Sequence, residues 1–364
     1  MTLAWNSNSD GNTAGYVLYW GNLPGVHPNS VDVGNQTIRT LSGLADGAAY
    51  YFVVRAYNVF GMLSGPSMEV SRRVGVAYSV ASDFTGELRA DLAVYRPSNG
   101  TWHVFNTTAG VPFSSAWGLS SDKPVPGDYD GDGRIDVAVY RPSSGHWFVK
   151  ESRTNYATFR TYQWGTAGDI PVARDYDGDG LTDLAVYRPS NGTWYVLRSS
   201  TGFAGGAAYA WGVSGDVPVP GDFDGDGIAD ITVFRPSSSH WFIRKSTTGF
   251  ASNTTYQWGT TGDVPVEADY DGDGKADLAV YRPSNGTWYF LRSGTAYTAG
   301  SAYAWGLSTD KPMPGDYDGD GRADLTVYRP SSGHWFVLRS NSNYTAWTTY
   351  QWGISGDVPI LDGR

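Results

Sequence analysis

The chain has 364 residues with 47 Gly, 19 Pro and no Cys, and 15% of it is aromatic, including 15 Trp. Gly and Pro recur at fixed intervals, few stretches run a dozen residues without one, and a long helical bundle is thereby excluded. The missing cysteines rule out a disulfide scaffold and thiolate chemistry, and a net charge of −10 argues against nucleic acid and anionic membrane surfaces as partners.

No apolar run approaches the ~18 residues that span a bilayer, and no leader of charged, apolar and small residues opens the chain. The polypeptide reads as soluble, without membrane insertion, and as part of a larger exported protein.

The N-terminal part, residues 1–74, does not share the pattern of the remainder. It offers Trp5, a strand at Tyr16 to Trp20, and the run Leu44 to Asn58, LADGAAYYFVVRAYN, followed by Gly61 and Ser64. Leu44, Gly47, Tyr50, Val54, Ala56 and Asn58 fall on the pattern of a fibronectin type III domain, which this segment resembles, with Tyr50 at the tyrosine-corner position. The resemblance implies an immunoglobulin-like β-sandwich whose first strand is very short or absent, a role as spacer or docking module, and a hinge at Arg72 to Ala77.

From residue 75 to 364 one unit of about 47 residues is used six times. Its acidic loops begin at Asp83, Asp128, Asp175, Asp222, Asp269 and Asp316, at spacings of 45, 47, 47, 47 and 47. Each loop precedes an (L/I/V)(A/T)V(Y/F)RPS segment, a tight turn, a TW or HW segment, and a WG segment leading to DxP. Runs such as Leu184 to Arg188 and Trp194 to Leu197 carry the strand signature, and Asn99-Gly100, Asn191-Gly192 and Asn285-Gly286 supply the positive φ of tight hairpins. Both faces of the first run are apolar, so each small sheet is covered on both sides. Repeated sheets of about four strands, stacked on copies of themselves, predict a β-propeller.

The repeats alternate between SNGTW and SSGHW or SSSHW, so a unit of two blades used three times closes at six, with seven as the alternative. Six copies of DxP begin at Asp122, Asp169, Asp216, Asp263, Asp310 and Asp357, while Ala77 stands where the first repeat's own would be. The C-terminal Asp357 to Ile360 is therefore expected to close the ring beside the strand leading to Asp83. The fold class is all-β throughout.

The motif with the strongest chemistry is DxDGDGxxD, intact in five loops. The carboxylates are Asp128, Asp130, Asp132 and Asp136; Asp175, Asp177, Asp179 and Asp183; Asp222, Asp224, Asp226 and Asp230; Asp269, Asp271, Asp273 and Asp277; and Asp316, Asp318, Asp320 and Asp324. Carboxylates at positions 1, 3, 5 and 9 converge on one point, glycines at 4 and 6 permit the turn, and the carbonyl of position 7 (Arg134, Leu181, Ile228, Lys275 or Arg322) completes a shell of hard oxygens suited to Ca²⁺ rather than Mg²⁺. These loops hold 20 of the 36 acidic residues, and five divalent ions offset a charge of −10; empty loops repel themselves open. A plain Asp/Gly turn leaves that crowding uncompensated. In the first loop Asp83, Thr85, Glu87 and Asp91 keep oxygens, but Leu88 replaces the second glycine, so weak or no metal binding is expected there.

Through these loops the repeats resemble the calcium-bearing FG-GAP and VCBS repeats of integrin-type propellers and bacterial extracellular proteins, over residues 78 to 364. The resemblance implies a loop joining the first two strands of each blade, a structural metal, secretion, and adhesive, carbohydrate-binding or carrier roles. Those families close more often with seven blades.

Arg96, Arg141, Arg188, Arg235, Arg282 and Arg329 recur before proline and match the DxP aspartates in number. They read as ion pairs or stacks on tryptophan that lock each blade, with a ring of anion sites as the alternative. Twelve tryptophans belong to the repeat and read chiefly as core; Trp117, Trp164, Trp211, Trp258, Trp305 and Trp352 are the candidates for stacking on a sugar. His146, His240 and His334 read as surface residues rather than a threefold metal site. The sequons at Asn99, Asn106, Asn191, Asn253, Asn285 and Asn343 permit glycosylation without requiring it.

No GxSxG, HExxH or isolated His and Glu pair occurs, and nearly every ionisable group copies a repeat position. The expected function is a non-catalytic, extracellular, calcium-stabilised module for adhesion or recognition of glycans or surface proteins, with multivalency from the ring. The alternatives are a self-associating structural subunit of a filament or surface layer, and, less favoured, a polysaccharide-degrading enzyme.

Overall fold

The computed structural model describes residues 2–5, 7–8, 12–22, 25–44, 49–67, 69–73 and 82–361. Gly47, Ala77 and residues 74–77 of the expected hinge lie outside them. The chain divides into two compact units, one made mainly of the first 76 residues and one of the remainder. No helix among the described residues is long and apolar enough to cross a membrane.

In the first unit a four-stranded antiparallel sheet runs in the order Asn29–Gly34, Thr13–Gly21, Ala49–Asn58, Val70–Arg73, and Thr2–Ala4 pairs with Ile38–Thr40. The strand before Trp5 is thus present and three residues long. Alternate residues of the long strands face one way, so Leu18 and Phe52 meet Leu41 and Tyr50 in one buried cluster, and Tyr16, Val33 and Ala56 form a second, against which Trp5 packs.

The described part of the second unit contains six four-stranded antiparallel sheets. In five of them a two-residue DxP strand is followed by the acidic loop, a five-residue strand such as Val137–Arg141, a second such as His146–Lys150, and an outer strand such as Phe159–Gln163. Burial falls along this order: Val137 to Tyr140 are buried on both faces, His146–Lys150 alternates, and the outer strand is largely exposed. The doubly apolar run is what a strand covered on both sides requires.

Each sheet packs on the next. Tyr140 and Trp147 of the second repeat meet Leu184 and Val186 of the third, and the same arrangement recurs from repeat to repeat. Leu92 and Val94 of the first repeat meet Tyr328 and Trp335 of the sixth. Val358–Pro359 joins the first sheet by pairing with Leu92–Arg96, Val358 opposite Tyr95 and Pro359 opposite Val94. The C-terminal strand is therefore partnered with the strand after the first loop, where the other five sheets carry the DxP strand of their own repeat.

Candidate metal centres

Every intact loop links the first two strands of its sheet, and a single bridge between the residue before it and its ninth residue, as in Gly127 and Asp136, closes its base. Positions 4 and 6 need left-handed backbone: Gly131 has φ +77° and Gly133 φ +85°. That turn aims amides inward. The first carboxylate accepts from the amides of positions 4 and 6 at 2.5–2.9 Å in the loops of Asp128, Asp175, Asp269 and Asp316. The ninth carboxylate is fully buried and accepts from the amide of position 2, and its other oxygen accepts from the amide of a serine in the third connection, Ser152, Ser199, Ser246, Ser293 or Ser340. Those serines are absent from the sequence reading; their signal is a constant spacing of 16 residues after the ninth position.

Carboxylate oxygens come within 4.8 Å of one another in Asp128, Asp130 and Asp136; Asp175, Asp177 and Asp183; Asp222, Asp224 and Asp230; Asp269, Asp271 and Asp273; and Asp316, Asp318 and Asp320. Positions 1 and 3 meet in all five loops, joined by position 9 in three and position 5 in two. Asp132 and Asp320 are in part held by their own loop's arginine, Arg134 or Arg322, at 2.7 and 2.8 Å.

The unpartnered oxygens test whether this set fits a cation. Asp177 Oδ1, Asp271 Oδ1 and Asp318 Oδ1 are buried without a hydrogen-bond partner, an arrangement that costs free energy unless another group meets them. Burial pushes Asp136 up to about 8, Asp183, Asp230, Asp269 and Asp324 to about 7, and Asp128, Asp175 and Asp277 to about 6, with neighbouring carboxylates adding to the rise; Asp91 of the first loop is likewise raised to about 7, so the rise follows burial in all six loops. Convergent, partly unpartnered hard oxygens fit a divalent cation of the calcium kind.

The first loop forms no such group among the described residues. Asp91 accepts from Phe84 and Thr85, and the side-chain amide of Asn106 donates to Thr85 Oγ1 at 2.9 Å and Glu87 Oε2 at 2.5 Å. Asn106, which begins one of the sequons, is buried.

All six repeat arginines pair with a DxP aspartate through Nε and Nη2: Arg141 with Asp122, Arg188 with Asp169, Arg235 with Asp216, Arg282 with Asp263, Arg329 with Asp310, and Arg96 with Asp357 across the closure. Five guanidiniums also lie 4.2–4.4 Å over a ring, which is Phe148, Tyr195, Phe242, Tyr289 or Phe336 and not tryptophan. The strand period explains the choice: the tryptophan beside it points into the sheet interface, and the following aromatic faces the arginine. His146, His240 and His334 lie on their own hairpins, each with Nδ1 beside Ser144, Ser238 or Ser332, and join no metal cluster.

The inner tryptophans, such as Trp102 and Trp147, are wholly buried. The outer set is half-buried, and each indole N–H donates to a carbonyl of the next sheet: Trp117 to Phe148, Trp164 to Tyr195, Trp211 to Phe242, Trp258 to Tyr289, Trp305 to Phe336, and Trp352 to His103. They lace neighbouring sheets and leave part of the ring open at the groove. Between the fifth and sixth repeats, Trp305, Leu307, Val327, Arg329 and Phe336 line a cavity of about 180 Å³. Trp305 and Trp117 also carry a second, exposed aromatic, Trp347 at 5.9 Å and Phe159 at 5.0 Å between ring centres.

Residues 175–233, 222–280 and 269–327 match the FG-GAP-like repeat family, so the chain carries that repeat in three consecutive copies. A 69-residue stretch is 44% identical to a Kelch domain-containing protein of Saccharolobus solfataricus, over 19% of this chain and 9% of that protein; the chain spans about a tenth of that relative's length. Among solved structures it is similar to an Agrocybe aegerita lectin, described for specific recognition of non-reducing terminal N-acetylglucosamine, with TM-score 0.52 and 16% identity over 85% of this chain and 92% of that one. A functionally unknown protein from Desulfotomaculum acetoxidans aligns at TM-score 0.45 and 12% identity, over 75% and 99% of the two chains. The lectin likeness bears on the fold, which is propeller-like.

Proposed function

We propose that the second unit is a calcium-braced, six-bladed β-propeller of an extracellular protein, which recognises glycans through its inter-blade grooves and performs no catalysis. Six rather than seven blades is supported by the pairing of Val358–Pro359 with Leu92–Arg96. The observation that carries the ion is the buried, unpartnered oxygen at position 3 of three loops. Carboxylates of positions 1, 3, 5 and 9, with the carbonyls of Arg134, Leu181, Ile228, Lys275 and Arg322, would hold five Ca²⁺, which supply positive charge that no side chain there provides in full. Calcium sites of extracellular modules bind at about 10⁻⁴–10⁻³ M, and these loops are read as sites of that class.

Glycan recognition is supported by the half-open tryptophans, of which Trp305 borders a cavity with one stacked guanidinium, and by the lectin fold likeness. The pairing of acids with arginines and loops supports a role without catalysis. The first unit, with its four- and two-stranded sheets, is read as a fibronectin type III-like spacer. A glycan array run alongside elemental analysis tests the whole: monosaccharide-specific signals lost on Trp305→Ala support recognition. Silence together with concentration-dependent self-association favours a surface-layer subunit, and fewer than about five ions removes the calcium reading.

A further inference from the structure

We infer that the acidic loops bind their ions as a coupled array and not as independent sites, an inference that rests on the calcium reading above. The first residue of each loop has two roles. Its carboxylate belongs to the acidic cluster, and its backbone carbonyl accepts the amide of position 8 of the next loop: Thr182 to Asp128, Ala229 to Asp175, Ala276 to Asp222 and Ala323 to Asp269, all at 2.6–2.8 Å. Ala90 donates to Asp316 and Ile135 to Asp83 at 2.8 Å, so the ion-poor first loop closes the cycle. The donor of each bond immediately precedes the ninth-position carboxylate of its own loop. When an ion draws the first aspartate inward, the carbonyl it carries fixes the neighbour's last acidic residue in sequence.

A second contact strengthens some junctions and omits others. After the serine of the third connection an aromatic residue takes a left-handed conformation, uncommon for a bulky side chain: Tyr156, Phe203, Phe250, Tyr297 and Tyr344 have φ between +57° and +63°. The three tyrosines use their hydroxyls at the junction of two loops. Tyr344 Oη lies 3.2 Å from the Tyr270 carbonyl in the fifth loop and 3.0 Å from the Ala323 carbonyl in the sixth. Tyr297 bridges Phe223 and Ala276, and Tyr156 bridges Phe84 and Ile135, in the same way. Phe203 and Phe250 fill the corresponding places without a hydroxyl. Coupling should therefore be stronger between the fourth, fifth and sixth loops than between the second, third and fourth.

Calcium titration of the whole chain by calorimetry, starting from chelated protein, tests this with Tyr344→Phe and the reciprocal Phe203→Tyr. Phenylalanine already occupies this place in two repeats, so the first variant keeps the fold. The wild type is expected to bind about five ions with a Hill coefficient above 1. Losing one bridging hydrogen bond should lower that coefficient and weaken the affected half-saturation by roughly two- to tenfold; Phe203→Tyr should raise the coefficient. Five ions bound with a coefficient of 1, or a coefficient that neither substitution moves, overturns the coupling and leaves the calcium reading standing. No ion bound at all removes both.

Discussion

The first acidic loop and its five successors follow the same path with different chemistry. In both, the opening aspartate collects amides of its own turn and the closing aspartate accepts from position 2. At the centre they part: the Asn106 amide donates to Thr85 Oγ1 and Glu87 Oε2 and leaves only Glu87 Oε1 buried without a partner, whereas Asp177, Asp271 and Asp318 have no side-chain amide among them and each ends in a buried oxygen without a partner. A loop of this shape can be held by a fixed neutral donor, as in the first loop, or, on the proposed function, by an exchangeable ion in the other five.

The largest expected effect removes the ion from all five loops at once. If each contributes about 2.7 kcal/mol at a hundredfold excess over its Kd, chelation withdraws on the order of 10 kcal/mol. At about 2–4 °C per kcal/mol, the melting temperature should fall by roughly 20 °C or more in EDTA and return with calcium. A calorimetric scan unchanged by chelator would erase the distinction between the two kinds of loop.

Acidity separates the ion-bound from the ion-free state. Burial raises Asp136 to about 8 and Asp183, Asp230 and Asp324 to about 7, from 3.8; Asp91 of the first loop, also raised to about 7, contributes alike with and without calcium. Without ions the folded chain holds protons that the unfolded chain releases, so this contribution is complete below about pH 4 and is lost as pH rises through 6 to 8. Calcium inverts the slope, because protons then compete with it for the same oxygens. Melting temperatures followed from pH 4 to 8 should fall with rising pH in EDTA and rise with it in calcium; parallel curves would contradict the assignment.

Single-site changes sharpen the comparison. Asp177→Ala should remove one ion of five and cost about 2–3 kcal/mol in calcium. Asn106→Ala should leave the ion count unchanged and cost about 1–3 kcal/mol, because it strands Glu87 Oε2 and removes the acceptor of the Thr108 and Ala109 amides, while Thr85 Oγ1 keeps its bond to Asp91. Elemental analysis with denaturant melts distinguishes them, and an ion lost from Asn106→Ala would place metal in the first loop after all.

What the sequence made legible is what repeats within one unit. Six loops, the Arg–Asp match in number and the inner tryptophans follow from period and residue type alone, whereas Asp357 to Ile360, expected beside the strand leading to Asp83, pairs through Val358–Pro359 with Leu92–Arg96 after that loop. Less visible were contacts between units. The partner of Trp164 is a carbonyl 31 residues away, and that of Tyr344 a carbonyl 74 away, so a constant residue in the alignment of repeats does not announce what it touches. The arginine stack shows the same limit: the choice of Phe148 over Trp147 depends on which face each strand residue presents.

The smallest expected effect isolates the glycine from the carboxylates. Leu88 stands where the intact loops have their second glycine, with φ +61° and its side chain exposed. A left-handed conformation costs a non-glycine residue about 1–2 kcal/mol. Part of that is offset in Leu88→Gly by the greater freedom glycine has in the unfolded chain. The net gain should be under about 1 kcal/mol, seen as a rise of about 2 °C. The substitution should recruit no sixth ion, because the Asn106 amide still lies between Thr85 and Glu87. An added ion in Leu88→Gly would mean that backbone shape, and not the charge at positions 3 and 5, decides which loops hold metal.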